Sequence, residues 1–169
     1  GPQCSQRGVR PALPHLPGPE RLRIVHQTGP GMREEVEAAY RAAGREAEVV
    51  AFLDDMERRF AEADLVLSRS GATTCAELTV AGRAALLVPF ALAADDHQRT
   101  NARALEAKGA ACMLEEKNLS GEFLARAIGA LVTDPGRIAA MEEAARRIGR
   151  PDAAARVADL LLPAEAARA

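Results

Sequence analysis

The chain has 169 residues, 48% of them hydrophobic and 27% charged, with a formal net charge of −2. That size and balance describe one globular domain able to bury a single core, and they exclude disorder across the whole. The slightly acidic charge argues against a nucleic-acid surface, which meets phosphates with clustered Lys and Arg; here arginines are scattered among glutamates along helices.

Residues 1 to 21 are expected to be irregular. Five prolines (Pro2, Pro11, Pro14, Pro17 and Pro19) and the lack of an initial Met read as a cut end, either a tag scar at Gly1-Pro2 or a fragment of a longer product. From Leu22 the pattern alternates. Leu22 to His26 predicts a strand, and Met32, Val36, Ala39, Tyr40 and Ala43 mark one face of a helix stopped by Gly44. Val49 to Leu53 predicts a second strand. Asp54 to Ala63 predicts a helix with Asp54 and Asp55 at its positive end. Leu65 to Leu67 is a third strand, followed by a helix opened by Gly71 and closed at Gly82. Ala84 to Val88 is a fourth strand ended by Pro89, His97 to Lys108 a helix closed by Gly109, and Ala110 to Leu114 a fifth strand. Leu119 before Ser120 can staple against Leu124, Asp134-Pro135 caps another helix, and Pro151-Asp152 opens a last one. Short strands that are apolar throughout are buried on both faces, so the fold class is α/β: a Rossmann-like parallel sheet with helices on both faces. Residues 22–162 form the domain and 163–169 a tail.

The stretch Ser68-Arg69-Ser70-Gly71-Ala72-Thr73-Thr74-Cys75-Ala76-Glu77 carries the chemistry. A strand that turns through hydroxyl and glycine residues into a helix leaves backbone N–H groups unpaired, a ready anion site. Glu77 follows about one and a half turns into the helix, where a carboxylate repels phosphate but accepts hydrogen bonds from sugar hydroxyls. The bland reading is a plain strand-to-helix connection; against it, ligands of open parallel sheets bind beyond the carboxyl ends of strands, where this turn sits. The segment Pro89 to Asn101 leaves the next strand at the same edge, with His97 and Gln98 suited to sugar hydroxyls. Asp95 and Asp96 read as helix caps, with a metal-binding pair as the sharper alternative. His26-Gln27-Thr28-Gly29 reads as a polar strand end, and Leu53 can offer its backbone to a planar base.

Cys4, Cys75 and Cys112 lie far apart with no C-x-x-C spacing, so neither a zinc site nor a disulfide framework is indicated. Cys75 near a helix start reads as small-residue packing rather than a nucleophile. No apolar run approaches the roughly eighteen residues of a membrane span, and no signal peptide pattern opens the chain. Aromatic content is 3% with no Trp, so hydrogen bonds rather than stacking carry recognition.

The series His26-Gln27-Thr28-Gly29, Phe52-Leu53-Asp54-Asp55-Met56, Ala63 to Ala72, Glu77, Val88-Pro89-Phe90, Ala94 to Gln98 and Asn101-Ala102 resembles one family. It is similar to the carboxyl-terminal, donor-binding domain of the bacterial peptidoglycan N-acetylglucosaminyltransferases, which convert lipid I to lipid II. The resemblance implies one half of a two-domain GT-B glycosyltransferase, inverting, with no metal or other cofactor. The implied donor is UDP-N-acetylglucosamine. Leu53 would meet uracil through its backbone, Arg69, Ser70 and Gly71 would belong to the substrate-binding turn, Ala72, Thr73 and Thr74 would line the diphosphate, Glu77 would hold the ribose, and His97 and Gln98 would address the sugar or ribose. The lipid I acceptor would be bound by an amino-terminal domain missing here, which also carries the catalytic base, so this chain offers no catalytic residue and is expected to be inactive alone. The complete protein would be cytoplasmic, peripheral on the inner face of the plasma membrane, without a transmembrane segment. Two departures stand out: nothing in residues 1 to 21 matches the family's opening strand and glycine-serine-glutamine loop, and Arg83-Ala84 replaces a proline common in relatives. The alternatives are an enzyme resembling UDP-N-acetylglucosamine 2-epimerase on the same architecture and a non-catalytic nucleotide-sugar binding module.

Overall fold

The computed structural model describes residues 9–90, 96–153 and 156. Strand and helix alternate: β1 (Val25–Gln27), α1 (Arg33–Ala42), β2 (Glu48–Val50), α2 (Met56–Glu62), β3 (Leu65–Ser68), α3 (Ala72–Ala81), β4 (Ala84–Leu87), α4 (His97–Ala107), β5 (Ala111–Met113), α5 (Gly121–Val132) and α6 (Pro135–Ile148). The expected order holds, with ends displaced by one to three residues where apolar runs continue past the last ladder bond. Ser120 Oγ accepts from the Phe123 amide and Asp134 Oδ1 from that of Arg137, so both expected N-caps form. The tail 163–169, Cys4, Asp95 and most of the last expected helix lie outside the described residues.

All pairing is parallel, but the strands divide into two ladders, β1-β2 and β3-β4-β5. Val25 pairs with Glu48, Leu65 with Ala84 and Ala85 with Ala111. Among the described residues no ladder joins β1 to β3, where one sheet was expected. Apolar periodicity reports which faces are buried and is silent about which edges meet.

The ladders nevertheless share a core. β4 is buried along its whole length, and its residues alternate between two clusters. Ala84 and Leu86 join Val36 and Tyr40 of α1 and Val49 of β2 with Leu124 and Leu131 of α5 and Met141 of α6. Ala85 and Leu87 join Phe60 of α2, Cys75 and Leu78 of α3 and Ala102 of α4. A strand with both faces covered is the signature of a parallel sheet between helical layers.

Residues 9–21 correct the expectation of an irregular segment outside the domain. A helical turn at 9–12 runs into the short helix Leu13–His15, and Ala12, Leu13 and Leu16 are buried in the core. Pro14 sits in the first turn of its helix, where a missing N–H costs nothing. Arg45 donates to the carbonyl oxygens of Leu13, Leu16 and Pro17, which fastens this proline-rich stretch. Arg83 donates to Glu142 on α6 and to the Ala61 carbonyl on α2, and so ties together α2, α6 and the connection from α3 to β4.

Candidate nucleotide-sugar site at the carboxyl rim

β3 ends at Ser68, and the chain turns through Arg69 and Ser70 to Gly71, which occupies the N-cap position of α3 in extended conformation. Cys75 N–H is the first to find a helical carbonyl, that of Gly71 at 2.9 Å. The amides of Ala72, Thr73 and Thr74 precede it, and among the described residues no side chain caps them. Among the described residues a Cβ built on Gly71 meets only Thr74 Oγ1 at 4.0 Å. Ala72, Thr73 and Glu77 are exposed on one side of the helix. Glu77 stands about 7.5 Å further along the axis from Ala72 at 1.5 Å per residue. Positive helix end and carboxylate are thus arranged in series.

Arg69 and Ser70 turn inward. Arg69 Nη1 donates to the carbonyls of Val88 and Pro89 at 3.0 Å each, and Nη2 pairs with Glu116 Oε1 at 2.8 Å. Its guanidinium also lies 5.2 Å from the centroid of the Phe90 ring. Burial draws its pKa below the usual arginine value, yet a guanidinium stays charged at neutral pH. Arg69 Nε and Ser68 Oγ are buried without a hydrogen-bond partner among the described residues. Both residues line a small cavity completed by Leu67, Val88, Leu119 and Leu124. Ser70 is fully buried, its Oγ donating to the Gln98 carbonyl at 2.8 Å. Asn101 Nδ2 donates to the Ser70 carbonyl at 3.1 Å.

The α4 start therefore lies against the β3–α3 turn, as expected for two segments leaving neighbouring strands. Gln98 Oε1 accepts from the Phe90 amide, and His97 is exposed beside it. Asp96 occupies the N-cap position with a left-handed φ of 51° but makes no capping bond; its Oδ1 accepts from Arg99 instead. Arg99 reaches on to Glu115 at 2.7 Å. Asp55 likewise heads α2 without capping it, because Arg58 and Arg59 take its carboxylate and hold its pKa below the usual range. Among the described residues no three metal-type side chains come together.

On the other ladder, Leu53 follows β2 and donates its N–H to Gln27 Oε1 at 3.1 Å, with Phe52 exposed beside it. His26 and Thr28 are buried supports. His26 Nδ1 lies 3.1 Å from Tyr40 Oη, and Thr28 Oγ1 donates to the Gly29 and Val50 carbonyls. Cys75 is buried and its thiol pKa is raised by desolvation, which suits packing and not nucleophilic attack. Glu116 and the anchoring roles of Asn101 and Gln27 escaped the sequence reading. Arg69 and Glu116 are 47 residues apart, and no local pattern marks such a pair.

Parallel strands between helical layers, with an uncapped helix start at the carboxyl rim, define a Rossmann-type α/β domain. The family model described as the glycosyltransferase family 28 C-terminal domain matches residues 7–157, and the chain belongs to that family. A UDP-N-acetylglucosamine--N-acetylmuramyl-(pentapeptide) pyrophosphoryl-undecaprenol N-acetylglucosamine transferase of Anaeromyxobacter sp. (strain Fw109-5) is 53% identical over 150 residues, 88% of this chain and 39% of that protein. The protein of the same name from Myxococcus xanthus is 50% identical over 141 residues, 83% of this chain and 37% of its own length. Among solved structures, Acinetobacter baumannii MurG superposes with a TM-score of 0.81 at 35% identity, over 89% of this chain and 43% of that one. The glycosyltransferase VinC, solved in complex with dTDP, shares the fold at a TM-score of 0.62 and 18% identity, over 81% of this chain and 32% of its own. The chain therefore spans about two fifths of the length of the curated relatives it matches.

Proposed function

We propose that this chain is the donor-binding half of an inverting, metal-independent glycosyltransferase. The reaction moves N-acetylglucosamine from UDP-N-acetylglucosamine to undecaprenyl-pyrophosphoryl-N-acetylmuramyl-pentapeptide in peptidoglycan synthesis. The observation that carries the reading is the uncapped start of α3, with three amides at its positive end that are unpaired among the described residues and Glu77 one and a half turns on. The family match and the names of the half-identical relatives support the substrate class.

In this reading the amides of Ala72, Thr73 and Thr74 hold the diphosphate. As the glycosidic bond to UDP breaks, negative charge grows on the departing phosphate, where oriented amides and the helix dipole stabilise it without reorganising. Glu77 accepts from the ribose hydroxyls. Leu53 meets the uracil once Gln27 yields its N–H, and His97 and Gln98 face the sugar. Arg69, Ser70 and Gly71 shape the turn. Acceptor binding and proton removal fall to the part of the relatives that this chain does not span, together with contact to the inner membrane face. Among the described residues no helix is long and apolar enough to cross a membrane.

Calorimetric titration with UDP and UDP-N-acetylglucosamine tests the site. Glu77→Ala removes charge-assisted hydrogen bonds of about 1.5 to 3 kcal/mol, so affinity should fall by roughly tenfold to a hundredfold. The melting temperature should not move, because Glu77 is exposed. Unchanged affinity would remove Glu77 from the site, and a parent chain that ignores UDP would overturn the reading.

A further inference from the structure

Three segments converge behind the proposed anion site: the end of β3, the chain leaving β4 at Val88–Phe90, and the short helix Glu116–Asn118 after β5. The Arg69 guanidinium lies among all three. It donates to the Val88 and Pro89 carbonyls, pairs with Glu116 and faces the Phe90 ring. The arginine and glutamate side chains are only 16% and 20% exposed, so their charges neutralise one another largely out of water. A second tier joins the same parts: Ser70 to the Gln98 carbonyl, Asn101 to the Ser70 carbonyl, and Phe90 N–H to Gln98 Oε1.

An arginine one residue before an anion-binding turn would ordinarily be taken for a phosphate ligand. This one has its charge matched by Glu116 and its Nη1 spent on the Val88 and Pro89 carbonyls just beyond β4. Planar, several-pronged donation of this kind fixes relative position, which a lysine's point charge cannot reproduce. We propose that Arg69 and Glu116 are a positioning pair: they set the α3 amides against the Val88–Phe90 segment and the start of α4, and so determine the grip on a nucleoside diphosphate. The inference rests on the donor-site reading for its ligand. Arg69 acts through the turn and does not itself touch the phosphates.

The test uses the 169-residue chain with Arg69→Lys, Glu116→Gln and the double variant, titrated with UDP and with uridine, and followed by melting and by amide resonances in the unliganded state. Positioning predicts that each single variant weakens UDP by about tenfold while uridine stays within about twofold. The double variant should be no weaker than the worse single one, and the resonances of residues 72–74 and 88–90 should shift together. Tighter UDP binding by Glu116→Gln would overturn the proposal, since it would show a phosphate-binding arginine released from its counter-ion. Equal losses for UDP and uridine with a lowered melting temperature would reduce the pair to general stability and overturn it as well. So would unmoved resonances at 72–74 in the variants. A parent chain that binds no UDP refutes the donor-site reading, and the resonances then decide by themselves whether Arg69 and Glu116 position the α3 amides.

Discussion

The contact between the β3–α3 turn and α4 rests on two hydrogen bonds of unequal weight, which makes it a sharp test of how the rim is assembled. Ser70 is fully buried; its Oγ donates to the Gln98 carbonyl at 2.8 Å and its own carbonyl accepts from Asn101 Nδ2 at 3.1 Å. In Ser70→Ala the Gln98 carbonyl keeps its helical partner four residues on, so only the net value of one hydrogen bond is lost, about 0.5 to 1.5 kcal/mol. In Asn101→Ala the buried Ser70 carbonyl loses that donor, at about 1 to 3 kcal/mol. For a chain of this size each kcal/mol lowers the melting temperature by roughly 2 to 4 °C. Ser70→Ala should therefore melt about 1 to 6 °C lower and Asn101→Ala about 2 to 12 °C lower. Urea unfolding should give the same order with an unchanged slope. The reverse order, or two neutral variants, would refute the view that these residues brace the turn.

A methyl group at Gly121 would fall on the backbone of Pro11, so Gly121→Ala should destabilise by about 1 to 3 kcal/mol, read by urea unfolding; a neutral result would deny that residues 9–21 belong to the core. His26 is buried against Tyr40, and desolvation holds its pKa below the ordinary 6.5 while the Tyr40 pKa is pushed up to about 12. The unfolded chain therefore binds a proton that the folded chain refuses. His26 gives its full stability above pH 6.5 and loses it as pH falls from there through the lower folded value. Melting of the parent between about pH 7.5 and about pH 5, across the imidazole range, should fall more steeply than that of His26→Phe, and parallel curves would refute the assignment. UDP affinity should be indifferent to EDTA, and dependence on added manganese would count against a site built from helix amides.

What the sequence determined by itself was local. The stretch 65–81 reads as strand, turn and helix because apolar runs, a glycine N-cap and i to i+4 bonding all act within a few residues. Free donors at Ala72 to Thr74 and a carboxylate at Glu77 follow from that geometry alone. The caps at Ser120 and Asp134 were legible for the same reason. Tertiary structure decided everything that joins distant residues. It divided the strands into two ladders, because burial patterns do not say which edges pair. It drew Ala12, Leu13 and Leu16 of the proline-rich stretch 9–21 into the core, fastened by Arg45, which sits 28 to 32 residues away from the carbonyls it holds. It also turned Arg69 from a candidate ligand toward Glu116, because a guanidinium's partner is fixed by which segments fold against it, and spacing along the chain carries no trace of that.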